Sequence, residues 1–161
     1  MKKLLFSTAI LFVISLLFNS CSSSIPQKEI GEVETEIIYK DEIRLNVSKI
    51  YSWINAMPGL KPRFNVSGEL EIFDNFNYEL KNLKIVKVTV LQNQKMIFIF
   101  TPTIKEDLQV DKKTILFSTI RGLLLNAALN QDKSIDISID FDDGSTEFNH
   151  VIQNVKIEEA L

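Results

Sequence analysis

The stretch that decides the fold is Ser134-Ile135-Asp136-Ile137-Ser138-Ile139-Asp140-Phe141. Apolar and polar residues alternate without a break, and period two puts one row of side chains in a core and the other in water. The β-branched isoleucines favour that conformation further. Asp142-Asp143-Gly144-Ser145 follows, and its Asp-Gly pair predicts a type I′ hairpin turn with φ > 0 at both central residues. The return strand runs from Thr146 to about Ile157. Its apolar residues pass from Phe148 and Ile152 to Val155 and Ile157, a change of parity that predicts a β-bulge between Ile152 and Asn154.

Working outward, the same alternation recurs at Phe64, Val66, Gly68, Leu70 and Ile72. Gly68 falls on the inward row, where a close neighbour or a bend would exclude a side chain. Leu83 to Leu91 reads as a strand, and Gln92-Asn93-Gln94 as a short hairpin loop. Met96 to Phe100 is apolar at every position, which predicts cover on both faces, and Pro102 ends it. Val33–Tyr39 and Ile43–Trp53 form a first edge segment broken at Asp41. Tyr51 and Trp53 share parity there and are expected to bury together. Met57-Pro58-Gly59 has the residues of a type II turn, and Asp74 to Asn82 reads as a turn region in which Phe76, Tyr78 and Leu80 could extend the pairing. Thr114 to Leu129 reads as a strand to about Arg121, then a Leu/Ala-rich crossing with a short helical turn near 122–129.

About seven strands without βαβ spacing predict an all-β fold, a two-sheet antiparallel sandwich over residues 33–161, with a small eight-stranded barrel as the alternative. The pattern resembles immunoglobulin-like or fibronectin-III-like sandwiches in architecture alone. The paired cysteines of antibody domains are absent.

The first residues read as an address. Lys2 and Lys3 precede an apolar run from Leu4 to Phe18, shorter than the roughly 20 residues of a membrane-spanning helix. The run ends at Phe18-Asn19-Ser20-Cys21, which contains the one cysteine of the chain. This resembles the lipobox of bacterial lipoproteins, with Phe18 where that family usually has Leu and Asn19 where it has a small residue. The resemblance implies a signal helix over residues 1–20, removed on processing. It also implies thioether-linked diacylglycerol and further acylation (palmitate among the chains) at Cys21. Residues 21–32, with three serines and Pro26, then form the lipidated start and a flexible tether. Two or three acyl chains anchor a protein stably where one does not. Ser22 resembles the residue found in outer-membrane-directed members of the family.

Composition narrows the rest. The length of 161 residues suits one domain. Removing Lys2 and Lys3 from the 18 basic residues leaves 16 against 21 acidic, a net charge near −5. That balance argues against a nucleic-acid partner and gives no general attraction to anionic headgroups. One His and one Cys exclude a His triad or a multi-Cys zinc site. His150, the single imidazole, reads as a strand residue. Asp140, Asp142, Asp143 and Glu147 cluster around a turn that explains them without calcium. Neither a nucleophile elbow nor a Gly-rich phosphate loop occurs, so no catalytic residue, metal site or cofactor is assigned. Trp53, Met57 and Arg63, beside Lys61, form the most unusual local composition and are the candidate partner contact. The expected function is therefore a membrane-anchored envelope lipoprotein presenting a sandwich to another envelope protein. A protease-inhibitor-like or small-ligand-binding sandwich is the alternative, and a hydrolytic enzyme the third reading.

Overall fold

The computed structural model describes residues 37–39, 43–74 and 79–160. The expected signal segment 1–20, Cys21 with the tether 21–32, Asp41, Phe76 and Tyr78 lie outside the described residues. Eleven strand segments are present among those described, against about seven expected: β1 (Ile37–Tyr39), β2 (Ile43–Asn55), β3 (Arg63–Asp74), β4 (Lys84–Gln92), β5 (Lys95–Phe100), β6 (Thr103–Leu108), β7 (Lys112–Ser118), β8 (Leu123–Leu124), β9 (Ile135–Asp142), β10 (Glu147–Val155) and β11 (Ile157–Ala160). The large sheet has the order β1-β2-β3-β7-β6, with β11 also beside β2 and β8 also beside β3. The small sheet has the order β10-β9-β4-β5. All pairings are antiparallel except β11 with β2.

The two inner faces share one core. Phe64, Leu70 and Ile72 of β3 meet Ile137, Ile139 and Phe141 of β9 in the same apolar cluster. Phe64 stacks on Phe98 of β5 with centroids 5.0 Å apart, joining the sheets directly. Each fully buried side chain of this size contributes about 1.5–3 kcal/mol, and alternation in β3 and β9 supplies eight of the 22 buried core residues. Gly68 is buried, and a Cβ there would lie 2.5 Å from the Phe117 ring. The inward glycine is thus a packing requirement.

Three buried polar groups tie segments across the core. Lys113 Nζ donates to the Leu83 carbonyl at 2.6 Å and pairs with Glu106 at 2.9 Å, linking β7 to the entrance of β4. Gln92 Nε2 donates to the Asn130 and Lys133 carbonyls, while its Oε1 accepts from the Asn130 N–H. Ser52 Oγ donates to the Lys156 carbonyl at 2.7 Å. Each satisfies a group that would otherwise be costly to bury.

Several expectations change. The bulge in the return strand is present, with a register shift between Ile152 and Val155 and Asn154 at φ +59°. The hairpin turn before it is not type I′, because Gly144 alone has positive φ and the loop is longer. The pair with φ > 0 at both positions is Asn93-Gln94, between β4 and β5. The β5 run is an edge strand with Met96 and Ile99 exposed, not a strand covered on both faces. The β6 strand, charged and exposed, escapes an apolar-pattern reading. Where a short helical turn was expected at 122–129, Leu123–Leu124 is strand β8. Arg121 (φ +56°) and Gly122 (φ +68°) carry a local excursion after which the chain resumes its course along β3, and a single hydrogen-bonded turn follows, from the Leu129 N–H to the Asn126 carbonyl at 3.0 Å. Finally, β2 is not an edge, and it carries a register shift between Val47 and Lys49. Inward parity moves from Ile43, Leu45 and Val47 to Ser52 and Ile54, so Tyr51 and Trp53 turn to the outer face.

Candidate functional site

The site begins with two loops at one end of the large sheet. In the first, Pro58 and Gly59 make the turn that their residue types predict. The Leu60 N–H reaches the Met57 carbonyl at 3.1 Å, and Gly59 has φ +82°. Asn55 Oδ1 accepts the Met57 N–H at 3.3 Å. In the second, the strand running along β3 breaks after Ser118 and resumes at Leu123, which pairs with Phe64. Arg121 and Gly122 carry the excursion between them. A side chain at Gly122 would place its Cβ 2.6 Å from Asn65 Oδ1, so glycine is needed for close approach as well as for φ.

Arg63 joins the loops. Its Nη1 donates to the carbonyls of Arg121 (3.2 Å) and Gly122 (3.0 Å), and the Leu125 N–H bonds the Pro62 carbonyl at 3.2 Å. The joined end then leaves large apolar side chains in water: Met57 is 53% exposed, Leu60 68%, Ile120 63% and Leu124 58%. Lys61, Arg63 and Arg121 are exposed beside them. Asn55, Leu60, Lys61, Arg63 and Leu124 surround a recess of about 250 Å³. No Asp or Glu occurs between Asn55 and Gly68, or between Lys112 and Gln131. An acidic chain therefore has a basic and apolar end.

Trp53, Met57 and Arg63 do come to this end. Trp53 is partly covered on the outer face, opposite Asn65 on β3 and Glu158 on β11. Arg63 has a different task from the expected rim contact, since its guanidinium holds the second loop. Sequence reading missed Leu60, Ile120, Arg121 and Leu124. The signal available for them was the lack of acidic residues in both segments.

A second recess, of about 270 Å³, lies on the outer face of the large sheet. Ser67 and Ser118 keep its floor low, and Tyr51, Lys105 and Leu116 border it. Lys49 and Glu69 close one side with an ion pair of 3.0 Å, and that hydrogen bond raises the Lys49 pKa above its ordinary value.

The remaining titratable groups do not converge. His150 pairs with Ile139 and is buried on the core side, where burial lowers its pKa and Nε2 has no hydrogen-bond partner among the described residues. Asp140 belongs to the opposite face of the hairpin. Its carboxylate pairs with Lys87 at 2.6 Å and accepts from the Asn149 amide. Asp142 Oδ1 accepts the Gly144 N–H, and Asp143 Oδ1 accepts those of Ser145 and Thr146. These oxygens finish the turn. Among the described residues no three His, Cys, Asp or Glu side chains are grouped to hold a metal ion, and no helix is long and apolar enough to cross a membrane.

The chain matches no known protein family, no curated protein and no solved structure.

Proposed function

We infer that the protein is a bacterial envelope lipoprotein, held at a membrane by acyl chains on Cys21, that acts by contact through an immunoglobulin-like sandwich. The observation that carries the contact role is the end of the large sheet around Trp53, Met57 and Arg63. Apolar side chains there stand in water at the tips of loops fixed by backbone hydrogen bonds. Leu60 and Leu124 share one recess there with Lys61 and Arg63, and apolar side chains grouped beside a polar rim mark an interaction surface where single ones do not. The address residues Lys2 to Cys21 support the anchor, and the outer membrane is the favoured location in an organism with two membranes. Envelope components, protein or lipid, are then the molecules within reach.

Mass spectrometry of protein extracted from host membranes tests the anchor. The expected product begins at Cys21 and carries acyl chains, while a free thiol on material in the soluble fraction would overturn it. A small-ligand role is the second reading, favoured by the 270 Å³ recess. Leu116→Arg would fill that recess and abolish such binding without touching the Trp53 end.

A further inference from the structure

We propose that the basic, apolar end of the large sheet docks onto an anionic lipid surface, with Met57, Leu60 and Leu124 entering the interface and Lys61 and Arg121 meeting the headgroups. The proposal rests on the anchored reading and names the component that this end touches.

Three observations favour a bilayer over another occupant. Leu60 of the first loop and Leu124 of β8 line one recess with Lys61 and Arg63, and Arg63 ties the segments that carry them, so two exposed apolar side chains and two cations share one fixed surface. The surrounding charge is basic: Lys61, Arg63 and Arg121 lie in two segments without a carboxylate, in a chain with 21 acidic residues. Among the described residues, Glu158 and Glu159 border this end, beside Trp53 and Ile54 on the flank of β2 away from Arg63, and Lys156 precedes them. Apolar tips rimmed by Lys and Arg are the pattern of interfacial binding, in which each cation adds about fivefold to the affinity for anionic lipid. Acylation at Cys21 would keep the whole chain at high effective concentration beside a bilayer, so modest contacts suffice. Screening confines the relevant field to within about 10 Å of the end at 0.1 M salt, so the distant carboxylates of the chain drop out and Glu158 and Glu159 are the ones that Lys61, Arg63 and Arg121 outweigh.

Trp53 is the single tryptophan and lies one outward-facing row back from Asn55 and Arg63, about 7 Å along the strand. Its fluorescence reports on this end alone. The full chain, extracted from host membranes and checked by mass at Cys21, is reconstituted into vesicles of phosphatidylcholine or of phosphatidylcholine with phosphatidylglycerol, each with and without brominated acyl chains. The expected result is quenching of Trp53 by brominated lipid in the phosphatidylglycerol vesicles, weakened by 1 M salt, where the Debye length is about 3 Å. Leu60→Ser with Lys61→Glu should abolish it while leaving the melting curve unchanged. Equal Trp53 emission in brominated and unbrominated phosphatidylglycerol vesicles would overturn the docking and favour a protein at this end. An acylated Cys21 without quenching removes the docking alone. A free thiol with quenching, after addition of the protein to preformed vesicles, removes the anchor alone and sustains the docking.

Discussion

The tip of the β9–β10 hairpin and the end of the large sheet are both turns rich in unusual residues, yet they solve opposite problems. The hairpin tip is acidic, and its carboxylates are consumed by its own backbone: Asp142 and Asp143 accept from the next residues, and Asp140 is paired with Lys87. Behind the tip, Phe141 stacks on Phe148 at 5.0 Å and the core closes. The sheet end is basic, its backbone is equally well tied, and its apolar side chains nevertheless point into water. The hairpin's polar residues are used up by internal partners; the sheet end keeps Leu60 and Leu124 uncovered in a recess that Lys61 and Arg63 border.

That contrast can be broken by mutation. Phe141→Ala should remove a fully buried ring from the hairpin and cost about 3–5 kcal/mol, read as a fall in the urea midpoint. Asp143→Ala should cost about 1–2 kcal/mol, because the Ser145 and Thr146 N–H groups lose their acceptor. A calcium titration should leave the melting temperature of the parent unchanged, since those oxygens already have partners.

How far each region was legible follows from the same physics. The hairpin and β3 could be read because alternation is a local property, and even the bulge near Ile152–Val155 shows as a parity change. Gly68 could be placed on the inward row for the same reason. The outward turn of Trp53 was hidden, because the register shift after Val47 depends on the pairing with β3 and leaves no mark in composition. Met96–Phe100 was misread because an apolar run does not say whether its strand is central or an edge. At the sheet end, the basic character of each loop lay in the sequence. That the two loops meet depends on the break at Arg121-Gly122, which read as the end of a strand followed by a Leu/Ala-rich crossing with a short helical turn.

Smaller effects sharpen the comparison. His150 lies on the hairpin's core side, where burial holds its pKa below the ordinary 6.5. The unfolded chain therefore takes up a proton first as pH falls. This part of the stability is complete above about pH 6.5 and is lost as pH drops toward the depressed folded value. Urea midpoints at about pH 7.5 and 5.5 should differ in the parent and differ less in His150→Leu. At the sheet end, Met57→Ser with Leu60→Ser should change stability by no more than about 0.5 kcal/mol by the same assay. Those two substitutions should act on membrane contact and not on folding.

The most direct measurement uses the two methionines of the described structure, Met57 at the sheet end and Met96 on β5, which are 53% and 61% exposed. Hydrogen peroxide should oxidise both to the sulfoxide at similar rates in detergent. On vesicles containing phosphatidylglycerol, Met57 should be protected several-fold while Met96 continues to react. Equal oxidation of the two methionines on such vesicles would contradict the account, because the end of the large sheet would then be as open to water as the edge of the small one.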